Sequence, residues 1–99
     1  MLTDILAREM VPDPTPTLTP GRWDMALPGD VIIEFLVTDD RRVTDVCLVQ
    51  RRIRDEHGAR VVRGRETSDP WLASIPRTVP GLVEWAYSRY CEPQWRRLR

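Results

Sequence analysis

Asp55, Glu56 and His57 form the densest set of acid/base and metal-ligating groups in the chain. Two carboxylates beside an imidazole have the donors to move protons or to hold a divalent cation. Their spacing argues for a plainer role. They lie directly before Gly58 in a polar stretch that reads as a hairpin turn, where adjacent side chains diverge instead of converging on one atom. Asp39 and Asp40 repeat the pattern in another polar turn, where carboxylates serve solubility unless a cleft encloses them. Nucleophilic chemistry has equally little support. His57 is the single imidazole, and Cys47 and Cys91 fall within expected regular elements, where burial would raise the thiol pKa. The chain has no lysine for a Schiff base and no glycine-rich phosphate loop. The expectation is a protein without catalytic, metal-binding or cofactor-binding residues.

The arginines carry more information. Arg51, Arg52 and Arg54 close one expected strand, and Arg60, Arg63 and Arg65 lie on the next, so a hairpin gathers six guanidinium groups. Alternation along a strand puts Arg63 and Arg65 on one face and Arg60 on the other. Guanidinium groups grip phosphates bidentately and stack on bases, which makes this hairpin a candidate nucleic-acid contact. The competing reading is an edge hairpin protected by charge against open-ended strand pairing. A sequence pI of about 6.6 weighs against nucleic acid, because dedicated nucleic-acid-binding domains are usually strongly basic.

Aromatic residues cluster late in the chain: Trp71, Trp85, Tyr87, Tyr90 and Trp95. One amphipathic helix accounts for Trp85 and Tyr90 against a sheet, but leaves Trp71 and Trp95 for a second covered surface. Trp, Tyr and Arg are enriched at binding hot spots. The N-terminus supplies a related feature. Thr3 can cap a short helix over Asp4–Met10, with Leu2, Ile5, Leu6 and Met10 as an apolar stripe. Four prolines between Pro12 and Pro20 then form a semi-rigid strap. Such an arm suits a groove on a partner, or folds back on its own sheet.

The elements that must position these residues begin at Gly21. The run Val31–Val37 is apolar on one face and nearly so on the other, and reads as a central strand. Val43–Ile53 and Ala59–Glu66 follow as second and third strands, the latter entered through Gly58. Ser68 and Pro70 open a short helix, and Leu82, Trp85, Ala86 and Tyr90 recur at helical spacing over residues 80–92. The expected fold is α+β: a small three-stranded antiparallel meander packed by a C-terminal helix, with a short N-terminal helix on a Pro-rich strap. A short extra strand near Trp23 is allowed. The expected organisation is an N-terminal arm, residues 1–20, and one domain, residues 21–99.

Length and composition agree with one small domain: 99 residues, 41% hydrophobic and 30% charged. The zero formal charge conceals an asymmetry. Residues 1–40 hold eight acids against Arg8 and Arg22, whereas residues 41–99 hold thirteen arginines against seven acids. No apolar run approaches the ~20 residues that span a bilayer, and the first residues do not resemble a signal peptide, so a cytoplasmic protein with no membrane partner is expected. An arginine-rich, lysine-free composition suits a GC-rich bacterial or phage genome. The function expected from these features is a small non-catalytic protein interaction module, an accessory, inhibitor or regulatory factor. It would bind another protein or itself through Leu2, Ile5, Leu6, Trp71 and Trp95. The alternative is nucleic-acid binding through Arg51, Arg52, Arg54, Arg60, Arg63 and Arg65.

Overall fold

In the computed structural model, which describes residues 17–98, the apolar run Val31–Val37 is β2, the middle strand of a five-stranded antiparallel sheet. Its neighbours are β1 (Gly21–Leu27) and β3 (Val43–Asp55). Beyond them lie β4 (Gly58–Glu66), at one edge, and β5 (Gln94–Arg97), at the other, in the order β4-β3-β2-β1-β5. A 3₁₀ turn (Pro70–Ser74) and one helix, α1 (Val79–Arg89), connect β4 to β5.

The period-two pattern of β2 decides which side is covered. Ile33, Phe35 and Val37 are buried, and across the ladders Met25 faces Ile33, Trp23 faces Phe35, and Leu48 faces Ile33 from the other side. Alternation therefore assigns one inner face to Trp23, Met25 and Leu27 of β1, Val43 and Leu48 of β3 and Trp95 of β5. Val79, Leu82, Trp85 and Ala86 of α1 pack on this face with Leu72, Ile75 and Leu18. Each fully buried aliphatic side chain contributes about 1.5–3 kcal/mol by leaving water.

Local chemistry sets the boundaries. Gly29 and Asp30 adopt positive φ in the turn between β1 and β2, and Gly58 does so where β4 begins. Asp69 caps the 3₁₀ turn by accepting from Trp71 N at 2.9 Å. Thr78 Oγ1 accepts from Gly81 N at 3.2 Å at the start of α1, where Pro80 fits because the first-turn amides lack helical acceptors. Tyr90 ends the helix with its amide on Ala86 O, and positive φ at Glu92 redirects the chain into β5.

Two strands correct the expected three-stranded meander. β1 pairs with β2 along its full length, from Gly21↔Val37 to Leu27↔Val31. Its alternating Trp23, Met25, Leu27 and Arg22, Asp24, Ala26 carries a strand pattern that the polar opening Gly-Arg-Trp-Asp obscures. β5 is only four residues long, too short for a period to register, and its partner β1 lies some seventy positions earlier, as in Asp24↔Arg96. Among the described residues the sheet is thus five strands wide with one helix. The expected N-terminal helix, its Leu2, Ile5 and Leu6, and most of the strap lie outside the described residues. Within the strap's described end, Leu18 is fully buried, Trp23 Nε1 donates to Thr19 O at 2.8 Å, and Arg41 donates to Leu18 O. Cys91 also departs from expectation. It is exposed in the turn after α1, whereas Cys47 is buried, and both thiols are free.

Candidate interaction surface

The outer face of the sheet is built from the residues that alternate with the core. β1 contributes Arg22, Asp24 and Ala26, β2 contributes Ile32, Glu34 and Leu36, and β5 contributes Gln94 and Arg96. Among the described residues, the helix and the 3₁₀ turn lie on the other side. The outer aliphatics Ala26, Ile32, Leu36 and Val49 are half-buried, so this face is neither core nor fully solvated surface.

Two carboxylates stand opposite each other at its centre, Asp24 on β1 and Glu34 on β2. Such a pair invites an acid/base reading, but arginines hold both. Glu34 binds Arg22 through Oε1 at 2.9 Å and Arg65 through Oε2 at 3.0 Å. Asp24, its side chain only 9% exposed, receives Arg96 at 2.7 Å. The result is a fixed grid of alternating charge running from β4 to β5. Cys47 lies opposite Glu34 on β3, and burial pushes its thiol pKa up, with Arg65 pulling the other way. Burial of this kind disfavours the thiolate, the form that reacts. The hydrogen bond that Arg65 donates to Glu34 raises the pKa of its guanidinium.

Shallow depressions interrupt the grid. One of about 220 Å³ is lined by Asp24, Ile32, Glu34, Gln50, Arg63 and Arg96 among others, and another of about 350 Å³ by Ala26, Ile32, Gln94 and Trp95. Gln50 reaches Asp30 O through Nε2, while its buried Oε1 has no hydrogen-bond partner among the described residues.

The six hairpin arginines divide between the two faces. Register puts Arg52, Arg54, Arg63 and Arg65 on the outer side and Arg51 and Arg60 on the inner. Arg51 binds Glu66 at 3.4 Å and Asp69 at 3.8 Å, Arg52 binds Asp30 at 3.5 Å, and Arg60 binds Asp55 at 3.2 Å. Arg54 and Arg63 make no ion pair among the described residues. Asp55, Glu56 and His57 form the hairpin turn: Asp55 accepts His57 N at 2.8 Å, and exposed Glu56 and His57 sit 3.4 Å apart. Among the described residues, no group of three His, Cys, Asp or Glu side chains is arranged to hold a metal ion.

Trp71 and Trp95 are half-buried and pack against the core. Trp95 meets Phe35 edge-on with ring centroids 6.2 Å apart, lies 6.3 Å from Tyr87, and donates to its hydroxyl at 3.0 Å. Trp71 leans on Trp85 at 5.9 Å. The charged grid is the feature that sequence reasoning missed. Its one visible signal is Glu34, the lone charged residue within the apolar run of β2, whose partners become apparent only through the register of β1, β3 and β5. No known protein family, curated protein or solved structure matches the chain. Among the described residues, no helix is long and apolar enough to cross a membrane.

Proposed function

We propose that this protein is a small non-catalytic interaction module that works by binding another protein through the outer side of its sheet and the adjoining hairpin. The observation that carries the reading is one-sidedness. Among the described residues, helix, 3₁₀ turn and sheet aromatics gather on the inner face, while half-buried aliphatics and a grid of charges occupy the other, a mixed surface that offers a partner both apolar contact and charges of either sign. Fixed charges of both signs select a complementary partner and orient it during encounter.

The test is capture of partners from an extract of the native host. Wild type should retain a defined protein that Leu36→Glu, with its added charge beside Arg22 on the outer face, loses at an unchanged melting temperature. Equal retention by both would refute the reading.

A second reading, nucleic-acid binding, draws on four hairpin arginines sharing the outer face, two of them without an ion pair among the described residues. Against it, the sheet's aromatic residues Trp23, Phe35 and Trp95 all lie on the inner face, away from where a base would stack. Salt-insensitive or absent retention on immobilised RNA and DNA would eliminate it.

A further inference from the structure

We infer that the free edge of β4 accepts an extended acidic segment of another protein as a sixth strand, with acids alternating with aliphatic residues. The inference rests on the protein-binding reading above and names the kind of partner.

Among the described residues β4 is the outermost strand, and every residue from Gly58 to Arg65 except Val62 is exposed. One row of its backbone donors and acceptors faces β3, and the other faces away from the sheet. At nine residues it exceeds the usual strand length of about 5–6, and it lacks the proline that commonly blunts an edge. Its defence is charge. Arg60, Arg63 and Arg65 occupy alternate or near-alternate positions, and its single acid, Glu66, is already bound to Arg51.

That defence is selective. Pairing with a second copy would bring Arg60, Arg63 and Arg65 of each strand onto one ladder; Arg60 and Arg65 keep Asp55 and Glu34, but neither Arg63 has an acid among the described residues, and like charges across strands destabilise pairing. An acidic strand meets the opposite situation. Its outward side chains would lie beside Val61, Arg63 and Arg65, and Arg63 has no ion-pair partner among the described residues. The side chains between them would point to the inner side of β4. There a depression of about 270 Å³, lined by Leu48, Val62 and Gly64 together with the polar Gln50, Arg51, Arg65 and Glu66, has room for a small side chain. A Cβ at Gly64 would meet nothing within 4 Å, so this entrance is open. Main-chain bonds supply affinity in such strand addition, and alternate side chains supply specificity.

The experiment titrates the isotope-labelled full chain with a synthetic peptide of alternating Glu and Val, matched in length to β4, up to about 1 mM, the weak end of specific association. Amide shifts and slowed hydrogen exchange are expected within Gly58–Glu66. Arg63→Glu should weaken binding at least about tenfold, since it replaces charge-assisted contacts with repulsion. Of Val61→Pro and Val62→Pro, one removes an amide bonded to β3 and the other an amide facing outward. The variant that keeps the wild-type melting temperature should lose the peptide. Absence of β4 shifts, equal binding of a Lys–Val peptide, or stronger perturbation of the same amides by a single-stranded oligonucleotide would each overturn the inference. Leu36→Glu, remote from this edge, should bind the peptide normally. Host-protein capture that is lost in Leu36→Glu but unchanged in Arg63→Glu would sink the inference and leave the broader reading standing.

Discussion

Asp24 and Arg96 form an unequal pair: the carboxylate is almost enclosed, while the guanidinium is 73% exposed. Removing either partner therefore has different consequences. Arg96→Ala leaves an enclosed charge without its donor and should destabilise by about 1–3 kcal/mol in chemical unfolding, whereas Asp24→Asn returns Arg96 to water at smaller cost. The double variant should fall short of the sum, and strict additivity would show that the two groups are not coupled. Cys47 gives a pH signature. Its folded pKa lies above the ordinary thiol value of 9.0 because burial penalises the thiolate. Below that value both folded and unfolded chains are protonated, so the thiol has no effect on the pH dependence. Above it the unfolded chain loses its proton first, and stability should fall as pH rises toward the folded value. Cys47→Ala should flatten that alkaline decline even if it lowers stability at neutral pH. An identical slope would contradict the assignment.

Among the elements, α1 depends on its cap and β5 on one ring. Thr78→Ala removes the hydroxyl that accepts from Gly81 N and should cost about 1 kcal/mol, with Thr78→Ser restoring most of it. Trp95→Ala should cost about 3 kcal/mol, the low end of the range for truncating a core aromatic, because the half-buried ring anchors β5 against Phe35 and Tyr87. A melting temperature that stays put would free Trp95 for an external contact. The elements also show what a sequence can reveal. β2 was legible because β-branched residues fill it between two turn signals, and α1 because Leu82, Trp85 and Ala86 recur on one face. β5 was not, since a four-residue strand owes its conformation to β1 and has no pattern of its own. The outer charge grid was hidden for the same reason. Asp24, Glu34, Arg65 and Arg96 become neighbours only once register is known, and nothing in their local sequence announces it.

For the whole molecule, the acidic first part and the basic remainder meet through Arg52–Asp30, Arg65–Glu34 and Arg96–Asp24, each joining distant segments. Arg52–Asp30 is exposed on both sides, where an ion pair contributes little to stability, whereas the enclosed Glu34 and Asp24 carboxylates are screened less by salt. Raising the ionic strength to about 1 M, where the screening length falls to about 3 Å, should therefore move the melting temperature by only a few degrees while weakening capture of a charged partner markedly. A large thermal shift would show that salt screens the enclosed pairs as strongly as the exposed one. The one-sided placement of the indoles has a spectroscopic corollary. Since Trp23, Trp85 and Trp95 all report from the helix-bearing layer, with Trp71 against Trp85, intrinsic emission should follow melting of that layer closely and remain nearly dark to occupancy of the opposite side. A dye or isotope label on β2 or β4 is then the proper eye for a partner, and a silent tryptophan spectrum says nothing about whether one has arrived.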